Sequence, residues 1–123
     1  MSLNSLLERV IRARGDRLKS KIEKRSLLEK AVFRSFMPLA INFVTQLGSA
    51  SITVMRDASL HLSVAVHAPD ITITSSHETL NDLLFSGSED EFLLAERDGR
   101  IRFAAYSLKG QKAISYVRKM FGA

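Results

Sequence analysis

The stretch that decides the fold runs from residue 60 to residue 80 and reads LHLSVAVHAPDITITSSHETL. Apolar residues alternate with polar ones from Leu60 to His67 and again from Ile71 to Thr74, and a period of two predicts half-buried β-strands. Ala68-Pro69-Asp70 separates these runs with turn residues. In the following Ser75-Ser76-His77-Glu78 we expect Ser75 to cap a helix and Glu78 to complete a capping box. The change from a strand period to a helix start indicates a domain of the α+β class.

The segments on either side extend this pattern. Before it, Ile52 and Val54 alternate with polar neighbours, and the turn residues 56–59 separate this run from Leu60, so we expect three short antiparallel strands. After it, a helix carrying Leu80, Leu83 and Leu84 should stop at residues 86–88. Residues 89–97 fit a helix or a strand equally. Asp98-Gly99 signals a hairpin turn before a strand over 100–107, and an amphipathic helix over 113–121 closes the chain.

The first 48 residues predict helices. Leu3, Leu6, Leu7, Val10 and Ile11 recur at helical spacing, and Gly15-Asp16 should break the helix and start a second one that runs to about Arg34. Ser35 and Pro38 are typical of a helix start, so the apolar run 39–47 is expected to form a buried helix that Gly48 ends.

Together these elements predict a small, mostly antiparallel sheet of about five strands with helices covering one face, preceded by a basic helical hairpin. We expect a basic amphipathic helical segment over residues 1–34 and an α+β domain over residues 35–123.

Composition narrows the class of protein. The chain has 123 residues, of which 46% are hydrophobic and 25% charged, as in an ordinary globular domain. It has no cysteine, which excludes disulfides, thiolate metal sites and cysteine nucleophiles and fits a reducing, cytoplasmic location. No apolar run approaches the roughly 20 residues that cross a bilayer.

The positive charge is concentrated in the first third of the chain. Residues 1–34 contain ten Lys or Arg and four acidic residues, whereas the whole chain carries a net charge of +5. Such a segment attracts phosphate on nucleic acid or on anionic lipid headgroups. A solvated helix face would have the same composition, so both interpretations remain open.

Residues that could support catalysis or metal binding do not form a recognisable site. His61 and His67 share a predicted strand face but would lie about 20 Å apart, and His77 starts a helix. Glu89-Asp90-Glu91 lacks the pattern of a calcium loop. No serine lies in G-x-S-x-G, and no glycine-rich phosphate loop is present. We therefore expect a non-enzymatic protein with no metal site and no cofactor.

From about Ala50 onward the chain resembles the sterol carrier protein-2 (SCP2-like) lipid-binding domain family. The resemblance rests on Ala68 to Thr74, which looks like the family's characteristic strand, and on the helix start Ser75 to Leu80. Gly87, Asp98 to Phe103 and Ala113 to Phe121 are similar to the loop, strand and closing helix that follow in that family.

The resemblance implies that a lipid or other long apolar ligand, for example of the isoprenoid or quinone type, binds in a tunnel between sheet and helices. The protein would then act as a carrier or accessory factor. The residues expected to line this tunnel are Phe36, Leu39, Phe43, Leu80, Leu84, Phe103, Val117 and Phe121. Taken singly, each of them fits an ordinary core residue better than a tunnel residue.

The basic helices suggest how such a carrier would meet a membrane. We expect them to dock on anionic membrane surfaces. The residues expected to do so are Arg9, Arg12, Arg14, Arg17 and Lys21. The alternative is a protein- or nucleic-acid-interaction module without a ligand cavity, whose partner could be another protein or a second copy of the chain. Nucleic acid ranks below these partners, because Phe33 is the only aromatic residue within the basic segment.

Overall fold

The computed structural model describes residues 2–122 and confirms the predicted fold class. Within this range the chain forms five α-helices and five β-strands. In chain order the elements are α1 (Leu3–Glu23), α2 (Leu27–Phe36), β1 (Leu39–Thr45), β2 (Gly48–Val54), β3 (Leu60–Ser63), β4 (Ile71–Ser75), α3 (His77–Ser86), α4 (Glu89–Arg97), β5 (Ile101–Ala105) and α5 (Leu108–Phe121).

The strands form a single mixed sheet in the order β3-β2-β1-β4-β5. Neighbouring strands are antiparallel except for β1 and β4, which pair in parallel with Ile41 opposite Ile71. The prediction of three consecutive antiparallel strands was therefore wrong for β4. Strand β2 pairs with one edge of β1, and β4 pairs with the opposite edge.

The helices cover one face of this sheet. Leu39, Ile41 and Phe43 alternate along β1 and are fully buried beneath them. Helix α1 packs against β2 and β3, whereas α5 packs against β4 and β5. On the other face the Asn42 side chain donates to the Val66 carbonyl at 2.9 Å and accepts from the Val66 amide at 3.1 Å, which ties the loop after β3 to the sheet.

Helix α1 continues through Gly15, so the predicted break at Gly15-Asp16 was wrong. A glycine inside a helix costs only about 1 kcal/mol relative to alanine. The buried residues Val10, Arg14 and Leu18 continue the same face on both sides of it. Packing of this face outweighs the local preference, and the real break comes at residues 24–26.

Residues 39–45 form the central strand β1, so the predicted buried helix was also wrong. A short apolar run fits a buried strand as well as a helix, and this run is only seven residues long. Gly48 does not cap a helix. It is the first residue of β2, directly after the two-residue turn 46–47, and it pairs with Thr45. Its φ of 124° is a backbone conformation that glycine adopts readily.

Several boundaries also differ from the prediction. Strand β3 ends at Ser63, and residues 89–97 are helical. Ser76, rather than Ser75, caps α3 by accepting from the Thr79 amide. The strand predicted over 100–107 ends at Ala105, because Ser107 caps α5.

Candidate ligand groove

The eight residues predicted to line a tunnel lie mainly in the closed core. Phe36 and Phe103 are partly buried, and the other six are almost completely buried. Phe43 and Phe121 meet edge to face, with ring centroids 6.1 Å apart. Across residues 2–122, none of the eight lines the two openings found beside α1 and α5.

The first opening is an apolar groove between α1, α2 and α5, with a volume of about 170 Å³. The amphipathic spacing of these three helices turns their apolar faces towards one another. Leu18 and Phe33 are buried at its base, and Ile22 and Met120 are partly buried. The residues lining this groove are Leu18, Lys21, Ile22, Arg25, Glu29, Phe33, Tyr116, Lys119 and Met120.

The second opening is a wider cleft of about 790 Å³ that shares Leu18, Lys21, Arg25 and Met120 with the groove. Five of its ten lining residues are basic. Lys21 Nζ lies 3.5 Å from the Lys119 carbonyl oxygen in the last turn of α5. The helix dipole favours a cation at this end of a helix. The groove and the cleft together place an apolar surface beside a positively charged one.

Helix α2 forms one wall of the groove through few contacts. Phe33 is buried, and the Phe36 ring lies against Tyr116 of α5 with centroids 5.1 Å apart. The start of this helix faces away from the protein, since Leu27 is 84% and Leu28 75% exposed. Helix α2 is therefore held against the protein at its C-terminal end, through Phe33 and Phe36, and is exposed at its N-terminal end.

Of the five residues predicted to dock on membranes, Arg14 points inward. It is only 8% exposed, and its Nη2 donates to the Phe85 carbonyl oxygen at 2.8 Å. Burial, and then the neighbouring Arg17, lower the pKa of Arg14 from its ordinary value. Arg9 lies over the Phe85 ring at 4.8 Å. Arg12, Arg17 and Lys21 are exposed on α1.

The histidines and the acidic triplet occupy separate places. His61 Nε2 lies 3.1 Å from Ser59 Oγ, and His67 lies outside β3. His77 begins α3, and its Nδ1 is buried without a hydrogen-bond partner among residues 2–122. Residues 89–91 form the first turn of α4 and help to cap it. No group of three or more His, Cys, Asp or Glu within the described chain could hold a metal ion.

The groove has no recognisable signature in the sequence. Its apolar residues were recognised as helix faces, but only the tertiary structure shows that three such faces leave a gap. Tyr116 was missed because a single aromatic residue on a helix gives no local signal. No helix within residues 2–122 is both long enough and apolar enough to cross a membrane.

Comparison with known proteins gives matches only among solved structures. No family model matches the chain, and no curated protein matches it. The solution structure of sterol carrier protein domain 2 of Helicoverpa armigera aligns with a TM-score of 0.57 and 11% identity, covering 93% of this chain and 86% of that one.

A second structure, described as "UbiJ-SCP2 Ubiquinone synthesis protein", aligns with a TM-score of 0.53 and 13% identity. The alignment covers 89% of this chain and 95% of that one. At these identities the likeness concerns the fold, and both comparisons extend over most of either chain. The protein therefore has the SCP2-like fold that its sequence resemblance indicated.

Proposed function

We propose that the protein binds a lipid or another long apolar molecule, without catalysis, and acts as a carrier or accessory factor. The observation that carries this proposal is the apolar groove between α1, α2 and α5, in a chain that has an SCP2-like fold. An isoprenoid or quinone is the preferred ligand class. The match to a protein described as a ubiquinone synthesis protein supports this preference.

The size of the groove indicates that α2 moves when the ligand enters. Sites for small organic ligands usually measure about 300–1,000 Å³, and the groove has only about 170 Å³. Helix α2 is the wall with the fewest attachments, and among the described elements α5 is its main packing partner. Outward movement of α2 would lengthen the groove along Phe33 and Phe36.

The charges beside the groove favour an amphiphilic ligand in one orientation. The apolar end would lie against Ile22 and Met120, since burial of apolar surface contributes about 25 cal/mol per Å². The polar end would face Lys21 and Arg25, which line both the groove and the wider cleft. Quinone carbonyls and phosphates both accept hydrogen bonds from such groups.

The test combines extraction with a variant that fills the groove. Mass spectrometry of an organic extract of the purified protein is expected to show a stoichiometric apolar molecule. We expect Ile22→Trp to weaken binding of a fluorescent fatty acid or of a short-chain ubiquinone by about tenfold or more, because the indole occupies apolar space. Leu94→Trp is the control, since Leu94 lines a separate cleft of similar size, about 160 Å³, with mostly polar walls.

Two results would refute this proposal. One is an empty extract together with no binding of either probe. The other is equal affinity of both tryptophan variants, which would place the ligand somewhere else.

The alternative is an interaction module that uses the basic N-terminal helices and has no internal ligand. Close packing of the residues predicted to line a tunnel favours it. This interpretation predicts an empty extract, and it predicts a complex with another protein, a second copy or an oligonucleotide in size-exclusion chromatography.

A further inference from the structure

We propose that the turn between α1 and α2 inserts Leu27 and Leu28 into the surface of an anionic lipid bilayer. The inference goes beyond ligand binding and holds whether or not the groove carries a ligand. Both side chains are exposed to solvent, Leu27 at 84% and Leu28 at 75%.

The two leucines are presented at a defined position. They are the first two residues of α2, directly after the N-cap Ser26, whose hydroxyl accepts from the Glu29 amide at 3.2 Å. A single exposed leucine is common in proteins. Two adjacent leucines on a capped helix end form a small apolar tip that the rest of residues 2–122 leaves exposed to solvent.

The segment that contains the tip carries a net positive charge. Residues 17–30 contain six basic and two acidic residues, a net charge of +4 within 14 residues. The exposed basic side chains closest in sequence to the tip are Lys21, Lys24, Arg25 and Arg34. A lysine or arginine near an anionic membrane contributes about 1 kcal/mol, so this charge and the apolar tip act together.

An anionic bilayer fits both features, whereas nucleic acid fits only one. Nucleic acid would neutralise the lysines but would leave Leu27 and Leu28 in water. In a bilayer the basic groups reach headgroups while the leucines enter the acyl boundary. Because Arg25 and Glu29 also line the groove, docking would bring the mouth of the groove to the membrane.

The same chain contains an internal control. Leu93 and Leu94 of α4 are also adjacent and exposed, at 43% and 48%. They follow the acidic residues Glu89, Asp90 and Glu91, and residues 81–92 contain no Lys or Arg, so this pair lacks the basic segment that precedes Leu27 and Leu28. If exposed leucines alone caused binding, both pairs would contribute.

The experiment is co-sedimentation with vesicles of phosphatidylcholine, with and without phosphatidylserine. Leu27→Ser with Leu28→Ser is expected to weaken binding to the anionic vesicles by about tenfold or more. Lys24→Glu with Arg25→Glu should weaken it by about 30-fold or more. The controls are Leu93→Ser with Leu94→Ser, and Arg97→Glu with Arg102→Glu, which changes the net charge equally. Neither control should alter binding by more than about twofold.

A tryptophan reporter tests insertion directly, because the chain has no tryptophan. Emission of Leu28→Trp should shift to shorter wavelength with anionic vesicles and stay unchanged with a single-stranded oligonucleotide. Emission of Leu94→Trp should stay unchanged with both.

The proposal is overturned if the leucine variant binds anionic vesicles as tightly as the wild type, since binding would then be electrostatic adsorption only. It is also overturned if the Leu28→Trp emission shifts with the oligonucleotide or with a second copy of the chain and not with vesicles. Extraction of the Leu27→Ser, Leu28→Ser variant distinguishes failure of this proposal from failure of the ligand proposal. Apolar material in that extract would show that ligand binding persists even if the membrane proposal is wrong.

Discussion

Replacement of Arg14 by methionine tests whether this residue holds the fold together rather than facing a membrane. The guanidinium donates to the Phe85 carbonyl oxygen near the end of α3, at 2.8 Å, from a side chain that is 8% exposed. A hydrogen bond to a charged group contributes about 1.5–3 kcal/mol. Methionine keeps the apolar stem and removes the cost of burying the charge, which is the main reason why the pKa of Arg14 is lowered. We therefore expect a net loss of about 1–2 kcal/mol.

The assays are urea unfolding and thermal unfolding, both followed by far-UV circular dichroism. The expected loss corresponds to a fall in Tm of roughly 3–10 °C for a domain of this size. Arg12→Met is the matched control, because Arg12 is exposed on the same helix, and its stability should change by less than about 0.5 kcal/mol. Equal stability of the two variants would refute an internal role for Arg14.

Two further predictions concern the stability of α5 and the titration of a turn. Gly110→Ala would place a methyl group 2.2 Å from the Asp70 carbonyl oxygen, so we expect a loss of about 2 kcal/mol or more in urea unfolding. An added methyl group at Gly15 in α1 would have no other atom within 4 Å, so Gly15→Ala should instead stabilise the protein by about 0.5–1 kcal/mol. A Gly110→Ala variant that is more stable than Gly15→Ala would contradict the packing. In the turn after β2, the Ser59 hydroxyl and then its amide donate to Asp57 and lower the pKa of that carboxyl. The stability that Asp57 contributes is therefore present above its unfolded-state pKa and is lost as the pH falls through its lower folded-state pKa. Carboxyl NMR titration should show the pKa of Asp57 rising in Ser59→Ala, and an unchanged value would rule out this cause.

The sequence alone determined the elements whose signals are local. The alternation over Ile71 to Thr74 and the serine-led helix starts depend on neighbours within a few residues, and both appear in the structure as β4 and α3. The α+β class follows from the same signals. The resemblance to SCP2-like domains rested largely on this well-marked part of the chain, and it predicted the fold correctly.

Tertiary structure decided the rest, because the competing local signals there are nearly balanced. Strand β1 is a nearly continuous apolar run in which Asn42 is the main interruption, so residues 39–45 match a buried helix equally well until β2 and β4 pair with them. Gly15 stays helical because distant packing exceeds its local cost. The burial of Arg14 depends on Phe85, which lies 71 residues away in the chain. The groove is a gap between three helix faces, and a gap has no sequence signature, since it depends on how far apart packed elements come to rest.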